Sequence, residues 1–244
     1  MQYSFGSGVL YGRSLTNNPP TPVRFGALHS VSLDFQFTVK ELYGQFQFPI
    51  ALGRGTGKIM GKADFAQFNA QAFNDLFFGS ANPATGATRT AIAEPQTITA
   101  NIATAINGAN FIADYGVVRA SDSAVFTRVL AAPVALQYVC NESTGVYTFN
   151  ATQNTVAVLL SYTYADAVNG KKISITNQLL GASPQFTAVF SETFNGKSMT
   201  VTLNACMSSK LSLATKLEDF TVPQFDFQAF ADAGNNIGSI SLEE

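Results

Sequence analysis

The single histidine of the chain, His29, lies beside Ser30 and five residues before Asp34, which are the residue types of a serine-hydrolase triad. Such a triad needs its serine on a strained turn next to an oxyanion hole. The G-x-S-x-G sequence that builds this turn occurs nowhere in the chain. We therefore expect His29 to be a polar residue at a strand edge, and these residues do not indicate a hydrolase.

A second candidate is the glycine-rich run Gly53–Lys58 (GRGTGK), which has the composition of a phosphate-binding loop. The P-loop pattern would require a glycine in place of Leu52 and a hydroxyl residue in place of Ile59. The glycines also lead into a strand pattern, whereas phosphate-binding loops lead into the N-terminus of a helix. We interpret this run as a flexible hairpin tip that carries two basic side chains.

The acidic residues near the C-terminus are the remaining candidates for catalysis. A glycosidase would need two carboxylates on either side of the bond that it breaks. Asp226 instead alternates with Gln224 and Gln228, which is typical of a solvated strand face. The phenylalanines of the same segment could stack on sugars or bases, but the inner face of a sheet is the more common cause of such a pattern. We predict no catalytic residues here.

Metal and cofactor chemistry has little support in the sequence. One histidine and the lack of an acidic metal-loop motif predict no metal site. Cys140 and Cys206 do not have metal-ligand spacing, and we expect both to be free, buried thiols. We predict that the protein uses no cofactor and is not an enzyme.

Composition limits the classes of function further. A net charge of −2 argues against a broad basic surface for nucleic acid. No signal-peptide pattern is evident, and the longest apolar runs are too short to cross a bilayer, so we expect no membrane anchor. Charged residues make up 12% of the chain, against about 25% in ordinary soluble domains. This depletion indicates either a neutral polar surface or one that other subunits cover.

The elements around these candidates follow from hydrophobic periodicity. In the segment 57–66 (GKIMGKADFA), glycine and apolar residues alternate with a side that carries Lys58, Met60, Lys62 and Asp64, as in a strand. From Asn69 the period becomes helical, since Phe73, Leu76 and Phe77 then fall on one stripe. Asn69 is the predicted N-cap and Gly79 the predicted C-cap of this helix.

The rest of the chain reads mainly as strands. Alternation over Val31–Val39 and Gly44–Ile50 predicts a hairpin, and further strands recur about every ten residues up to Ile237–Leu242. The Gly-, Asn- and Pro-rich composition of residues 1–30 predicts an extended arm or loop. Residues 80–135 predict an insertion or peripheral region, in which Ala100–Ala105 fits a helix or a strand. We predict one domain, 1–244, with an all-β dominated fold (a β-sandwich or partial barrel) and one flanking α-helix.

Three segments resemble the major tail tube proteins of long-tailed bacteriophages. The first is the G-K-x-x-G-K-A-x-F-A strand at 57–66 with its helix ending in LFFG at residues 76–79. The second is the C-terminal block 211–242, which contains TKLEDF, FDF and FAD. The third is GVYTF at 145–149 followed by LSYTY at 160–164.

The resemblance implies that six copies form a ring, that strands join across subunits into a continuous inner barrel, and that rings stack into a hollow tube. The implied partners are other copies of the chain, a tape-measure protein, the tail terminator and tail tip proteins, and double-stranded DNA that passes through during ejection. The implied location is the virion tail, assembled in the bacterial host cytoplasm. Few charges and near neutrality fit a wall along which DNA slides, because basic side chains would bind phosphate and retard it.

Strand alternation assigns two faces. One face should pack the core, and its residues are Leu33, Phe35, Phe37, Phe46, Phe48, Ile59 and Phe65. The other should face the lumen or a neighbouring subunit, and its residues are Asp34, Gln36, Gln45, Gln47, Lys58, Met60, Lys62 and Asp64.

Two other classes of protein stay open. The tube protein of a contractile tail or secretion device would share the architecture, although such proteins are usually shorter. A carbohydrate-binding β-sandwich module would need exposed aromatic residues in a groove and usually carries tryptophan, which this chain lacks.

Overall fold

The computed structural model describes residues 3–16, 20–67, 69–79 and 83–243. Strands dominate these residues, and one helix lies beside a sheet, which confirms the predicted β-dominated fold class. The chain divides into two compact units. Unit 1 comprises residues 1–83 and 173–244, and unit 2 comprises Ala84–Lys172.

The described residues of unit 1 form an eight-stranded antiparallel sheet. The strands are β1 (Val9–Ser14), β2 (Pro22–Arg24), β3 (Leu28–Tyr43), β4 (Pro49–Phe65), β12 (Gln185–Phe194), β13 (Lys197–Ser212), β14 (Gln224–Phe230) and β15 (Gly238–Leu242). Their order in the sheet is β2-β1-β12-β13-β14-β4-β3, and β15 also pairs with β13.

The helix follows β4 directly. It begins as α1 (Ala70–Phe73) and continues as a π-helical turn (Asn74–Phe78). Oδ1 of Asn69 accepts hydrogen bonds from the backbone N–H groups of Gln71 and Ala72, at 2.9 and 3.3 Å. Gly79 ends the helix with φ +61°, a left-handed conformation that glycine adopts without a steric penalty.

The core of unit 1 lies on one face of its sheet. Leu76 of the helix is fully buried there, and phenylalanine rings of β4, β12 and β14 belong to the same core cluster. Phe65, Phe186, Phe225 and Phe227 are each at most 2% exposed. Gly61 makes room for this packing, because a Cβ atom at that position would overlap the ring of Phe227. Gly61 is thus covered by the aromatic ring of Phe227.

The predicted core face was right near the base of the β3–β4 hairpin and wrong towards its end. Phe65 is buried, and Leu33 and Ile59 pack against the core. Phe37, Phe46 and Phe48 are instead 48%, 73% and 80% exposed, and Phe35 is 44% exposed. For Phe37, Phe46 and Phe48 the reason is that β14 pairs with β4 only over Ile59–Asp64, and among the described residues no other strand pairs with the hairpin beyond that point.

The turn of this hairpin spans residues 44–48, between the ends of β3 and β4. The glycine run Gly53–Lys58, interpreted from the sequence as a hairpin tip, therefore lies within β4. A second hairpin joins β12 to β13, where Phe194 pairs with Lys197. Its Asn195 and Gly196 both have positive φ, at 51° and 76°, as a type I′ turn requires.

Unit 2 has its own sheet of seven described strands, in the order β5-β11-β7-β8-β9-β10-β6. All its pairs are antiparallel except β8–β9, which is parallel. The strands are β5 (Ala84–Thr97), β6 (Ile102–Thr104), β7 (Phe111–Arg119), β8 (Val125–Arg128), β9 (Gln137–Asn141), β10 (Val146–Phe149) and β11 (Ala157–Lys172). Short 3₁₀ turns occur at Gly108–Asn110 and Ala151–Gln153.

The segments that the sequence left without clear structure contain strands. Residues 1–30 include β1 and β2 of the unit 1 sheet, with residues 1, 2 and 17–19 outside the described part of the chain. Residues 80–135 include β5 to β8, with residues 80–82 not described. The compact unit that starts at Ala84 extends past this predicted region to Lys172.

Candidate functional site

One face of the unit 1 sheet is polar, and strand register places the predicted residues on it. Directly opposed residues share a face of a sheet. Asp34 opposes Met60, which opposes Gln228 of β14. The neighbouring rows are Gln36–Lys58, Ser32–Lys62–Asp226–Lys210 and Ser30–Asp64–Gln224. We call these residues of β3, β4, β13 and β14 the polar face.

The polar face therefore gathers six of the eight residues that the sequence assigned to a lumen or subunit surface. They are Asp34, Gln36, Lys58, Met60, Lys62 and Asp64. The other two, Gln45 and Gln47, do not reach it, because they lie in the exposed turn of the β3–β4 hairpin. Sequence alternation missed Lys210, Asp226 and Gln228 as members of the same surface, although their strands show the same alternation.

The charges of the polar face are balanced. It carries the lysines 58, 62 and 210 and the aspartates 34, 64 and 226. None of these six charges lies within 4.0 Å of an opposite charge among the residues that the structure describes. The carboxylate of Asp64 accepts a hydrogen bond from the Ser30 hydroxyl at 2.7 Å. The face therefore presents alternating charges without a strong field of either sign.

The second surface is the free end of the β3–β4 hairpin, residues 37–57, which we call the hairpin arm. Its two strands pair only with each other, and every residue except Pro49 is exposed. Eight of its exposed residues are large and apolar, namely Phe37, Val39, Leu42, Tyr43, Phe46, Phe48, Ile50 and Leu52. The guanidinium of Arg54 lies 4.1 Å from the centre of the Phe37 ring, which covers part of this surface.

An isolated two-stranded ribbon is at best marginally stable in water. The hairpin arm nevertheless keeps continuous pairing from Phe37–Gly57 to Tyr43–Pro49, with irregular register at two points. A concentration of exposed large apolar side chains of this kind is typical of an interaction site. The sequence signal for the arm was the same alternation that we read as core packing.

The helix residues named from the sequence support the sheet. Leu76 is fully buried against Gly12 of β1, where its methyl groups occupy the space that a Cβ atom would need. Phe73 and Phe77 are partly buried and pack against the same core. Asn69 and Gly79 supply the caps described above. These five residues brace the sheet from its core side and do not lie on the polar face.

His29 lines a cleft of about 700 Å³ in unit 1, together with apolar residues of β3, β12 and β13. Glu192 also lines it, and its carboxylate accepts a hydrogen bond from the Ser4 hydroxyl at 2.5 Å. Within the described residues, no hydrogen bond joins His29 to Asp34 or to a serine. The geometry of a catalytic triad is therefore missing around this histidine.

Both cysteines are buried, and their thiols are held in the unreactive, protonated form. Burial raises the pKa of the Cys140 thiol to about 11 and that of Cys206 to about 12. A thiol is nucleophilic only as the thiolate, so both are inert at neutral pH. In the part of the chain that the structure describes, no three His, Cys, Asp or Glu side chains are grouped in a way that could hold a metal ion.

Comparisons with known proteins add no family: no protein-family model matches the chain, and neither does any curated protein. Within the described residues, no helix has the length and apolar character needed to cross a membrane.

Proposed function

We propose that this protein is a structural, non-enzymatic virion component that assembles into hexameric rings, which stack to form the hollow tail tube of a long-tailed bacteriophage. Its partners are then other copies of itself, a tape-measure protein inside the tube, the tail terminator and tail tip proteins at its ends, and double-stranded DNA during ejection. Its location is the virion tail, which assembles in the bacterial host cytoplasm.

The hairpin arm is the observation that carries the proposal. Phe46 and Phe48, at its turn, are 73% and 80% exposed, and Leu52 is 67% exposed. Exposed aromatic and aliphatic side chains in one continuous projection are costly for a protein that stays monomeric. A neighbouring copy that covers the arm removes this cost and also supports a ribbon that cannot bury its side chains alone.

The sheet edges support the same proposal. In the described order, β2 and β3 are the terminal strands, so each offers a row of unpaired backbone groups. Proteins that remain monomeric normally block such edges, and closing them against another subunit removes them. Pairing through edges on opposite sides of one sheet is heterologous, and heterologous contacts generate rings or filaments.

The balanced charges of the polar face suit the inner wall of a tube through which DNA passes. Its three lysines and three aspartates alternate across the rows, so no continuous basic stripe is present to hold phosphates. Because each lysine contact to phosphate adds affinity, a balanced face lets DNA move without strong retention. We assign this face to the lumen.

Electron microscopy of the purified protein over a range of concentrations tests the proposal. Rings or tubes of uniform width, with six subunits per ring, are expected. A protein that stays monomeric by light scattering at high concentration, with no rings in the micrographs, would refute it.

Two other functions are distinguished from the proposed one by experiment. A tube of a contractile tail or secretion device would also give rings, and co-assembly with a sheath protein would separate it from the proposed function. A carbohydrate-binding module would use the exposed aromatic residues of the hairpin arm, and glycan binding by monomers would favour it.

A further inference from the structure

Unit 2 begins and ends at one point of its own sheet. Ala84, the first residue of β5, pairs with Lys172, the last residue of β11, and Thr85 pairs with Lys171. Paired residues of antiparallel strands lie only about 5 Å apart. The chain therefore enters unit 2 and leaves it again at two adjacent backbone positions. This is the geometry of one domain inserted into another.

Unit 2 also has a complete core of its own. Twelve buried residues form it, and all of them lie between Ile98 and Tyr162. Val158, Leu160 and Tyr162 of β11 are fully buried in it, as is Tyr147 of β10. At roughly 90 residues the unit is well above the size of about 40 at which small domains need disulfides or metals to fold.

Two acids, Asp114 with its buried side chain and the half-buried Glu94, hold tyrosines of unit 2 through hydrogen bonds that stay inside the unit. Asp114, with a side chain only 2% exposed, accepts hydrogen bonds from Tyr138 and Tyr147 at 2.5 and 3.1 Å. Burial raises the pKa of both tyrosines, so their hydroxyls stay protonated and remain donors. Glu94 accepts from the Tyr162 hydroxyl at 2.6 Å and from the backbone N–H of Ile106 at 2.9 Å.

We infer that residues 84–172 are an autonomous module, which folds and unfolds independently of unit 1 and whose role is separate from self-assembly. The second half of this inference rests on the proposed function, because the hairpin arm and the polar face, to which that function assigns assembly and the lumen, both belong to unit 1, although the sheet of unit 2 also ends in the free strands β5 and β6. The first half stands on the paired ends and the separate core alone.

Hydrogen exchange of the full-length protein, followed by mass spectrometry of peptides, tests independent folding with one matched pair of variants. Leu160→Ala truncates a leucine that is 0% exposed in the unit 2 core, and Leu76→Ala makes the same change at a 0% exposed position in unit 1. We expect Leu160→Ala to speed exchange in β5, β7 and β11 by about 30-fold or more. Exchange in β12, β13 and β14 should change less than about twofold, and Leu76→Ala should give the reverse pattern.

If Leu160→Ala unfolds unit 2 outright, the unit 1 strands should still keep their protection. The milder variant Ile98→Val, at another 0% exposed position, should then accelerate exchange in unit 2 alone by about three- to tenfold. Equal acceleration in both units from any of these variants would overturn the inference, because it would mean that the chain unfolds as one cooperative body.

Electron microscopy of the same variants tests the second half. Leu160→Ala should form the same tubes as the wild type. Loss of tubes in this variant, with wild-type tubes present and unit 1 protected, would overturn the separation of unit 2 from assembly. Absence of tubes from the wild type would instead refute the proposed function, and the exchange experiment would still decide whether unit 2 is autonomous.

Discussion

Replacing Phe46 and Phe48 of the hairpin arm with serine should abolish assembly and leave the protomer folded. The two side chains are 73% and 80% exposed, so folding buries only about a quarter of each. With about 200 Å² per phenylalanine and about 25 cal/mol per Å², the loss in folding free energy is about 1 kcal/mol per ring.

The same arithmetic predicts a much larger effect on assembly. If a neighbouring copy covers the exposed part, about 150 Å² of each ring leaves the water, which corresponds to as much as about 4 kcal/mol per ring. Binding costs and imperfect burial reduce this value. A remaining loss of about 3 kcal/mol for the double variant would raise the critical concentration for assembly more than about 100-fold.

The assay compares tube formation by light scattering and electron microscopy with thermal unfolding of the unassembled protein. The double variant should form no tubes at concentrations where the wild type does, and its melting temperature should fall by no more than about 8 °C. Leu130→Ser is the matched control, since Leu130 is 98% exposed but lies in unit 2, and its tubes should be normal. Normal tubes from the double variant, or tubes lost only together with the fold, would refute the reasoning.

Three further predictions concern other parts of the chain. The double substitution Lys58→Glu and Lys62→Glu makes the polar face acidic and should impair ring formation or infectivity. It should change thermal stability little, because both residues are exposed. Cys140 and Cys206 should not react with a thiol reagent at pH 8 in the native protein and should both react in denaturant, because burial raises their pKa values to about 11 and about 12. Since the native state then holds these protons more tightly, stability should fall as pH rises above the unfolded thiol pKa of about 8.5. Asn69→Ala removes the helix cap and should cost about 1 kcal/mol in the free energy of unfolding.

Control variants or contradicting results test each of these. The double change of Lys171 and Lys172 to glutamate alters the charge equally in unit 2 and should leave tubes and infectivity normal. Normal tubes and infectivity from the polar-face variant would contradict its assignment. Fast reaction of a native thiol would show that the core opens easily. Asn69→Asp should keep the cap, so equal destabilisation by Asp and Ala would exclude capping as the cause.

Local pattern was sufficient for the elements that depend on neighbours in the chain. The alternation over residues 57–66 and the helical stripe from Asn69 to Gly79 predicted β4, the helix and the caps, because side-chain period and capping are properties of a few consecutive residues. The same alternation placed Asp34, Lys58 and Lys62 on one face. It failed for Gln45 and Gln47, since the turn of the hairpin interrupts the period there.

Burial could not be predicted in the same way. Phe48 and Phe65 both follow a strand pattern, yet one is 80% exposed and the other 1%. Period two tells which residues share a face, but not whether a second layer covers that face. That depends on where β14 stops pairing with β4, which involves residues more than a hundred positions apart.

Sequence pattern alone was enough to predict strands with one capped helix, and it placed six residues of β3 and β4 together on the polar face. The tertiary structure alone decided that the hairpin arm is uncovered and that residues 84–172 close on themselves through the pairing of Ala84 with Lys172. Local periodicity arises from the geometry of consecutive residues, whereas coverage and domain closure arise from contacts between distant ones.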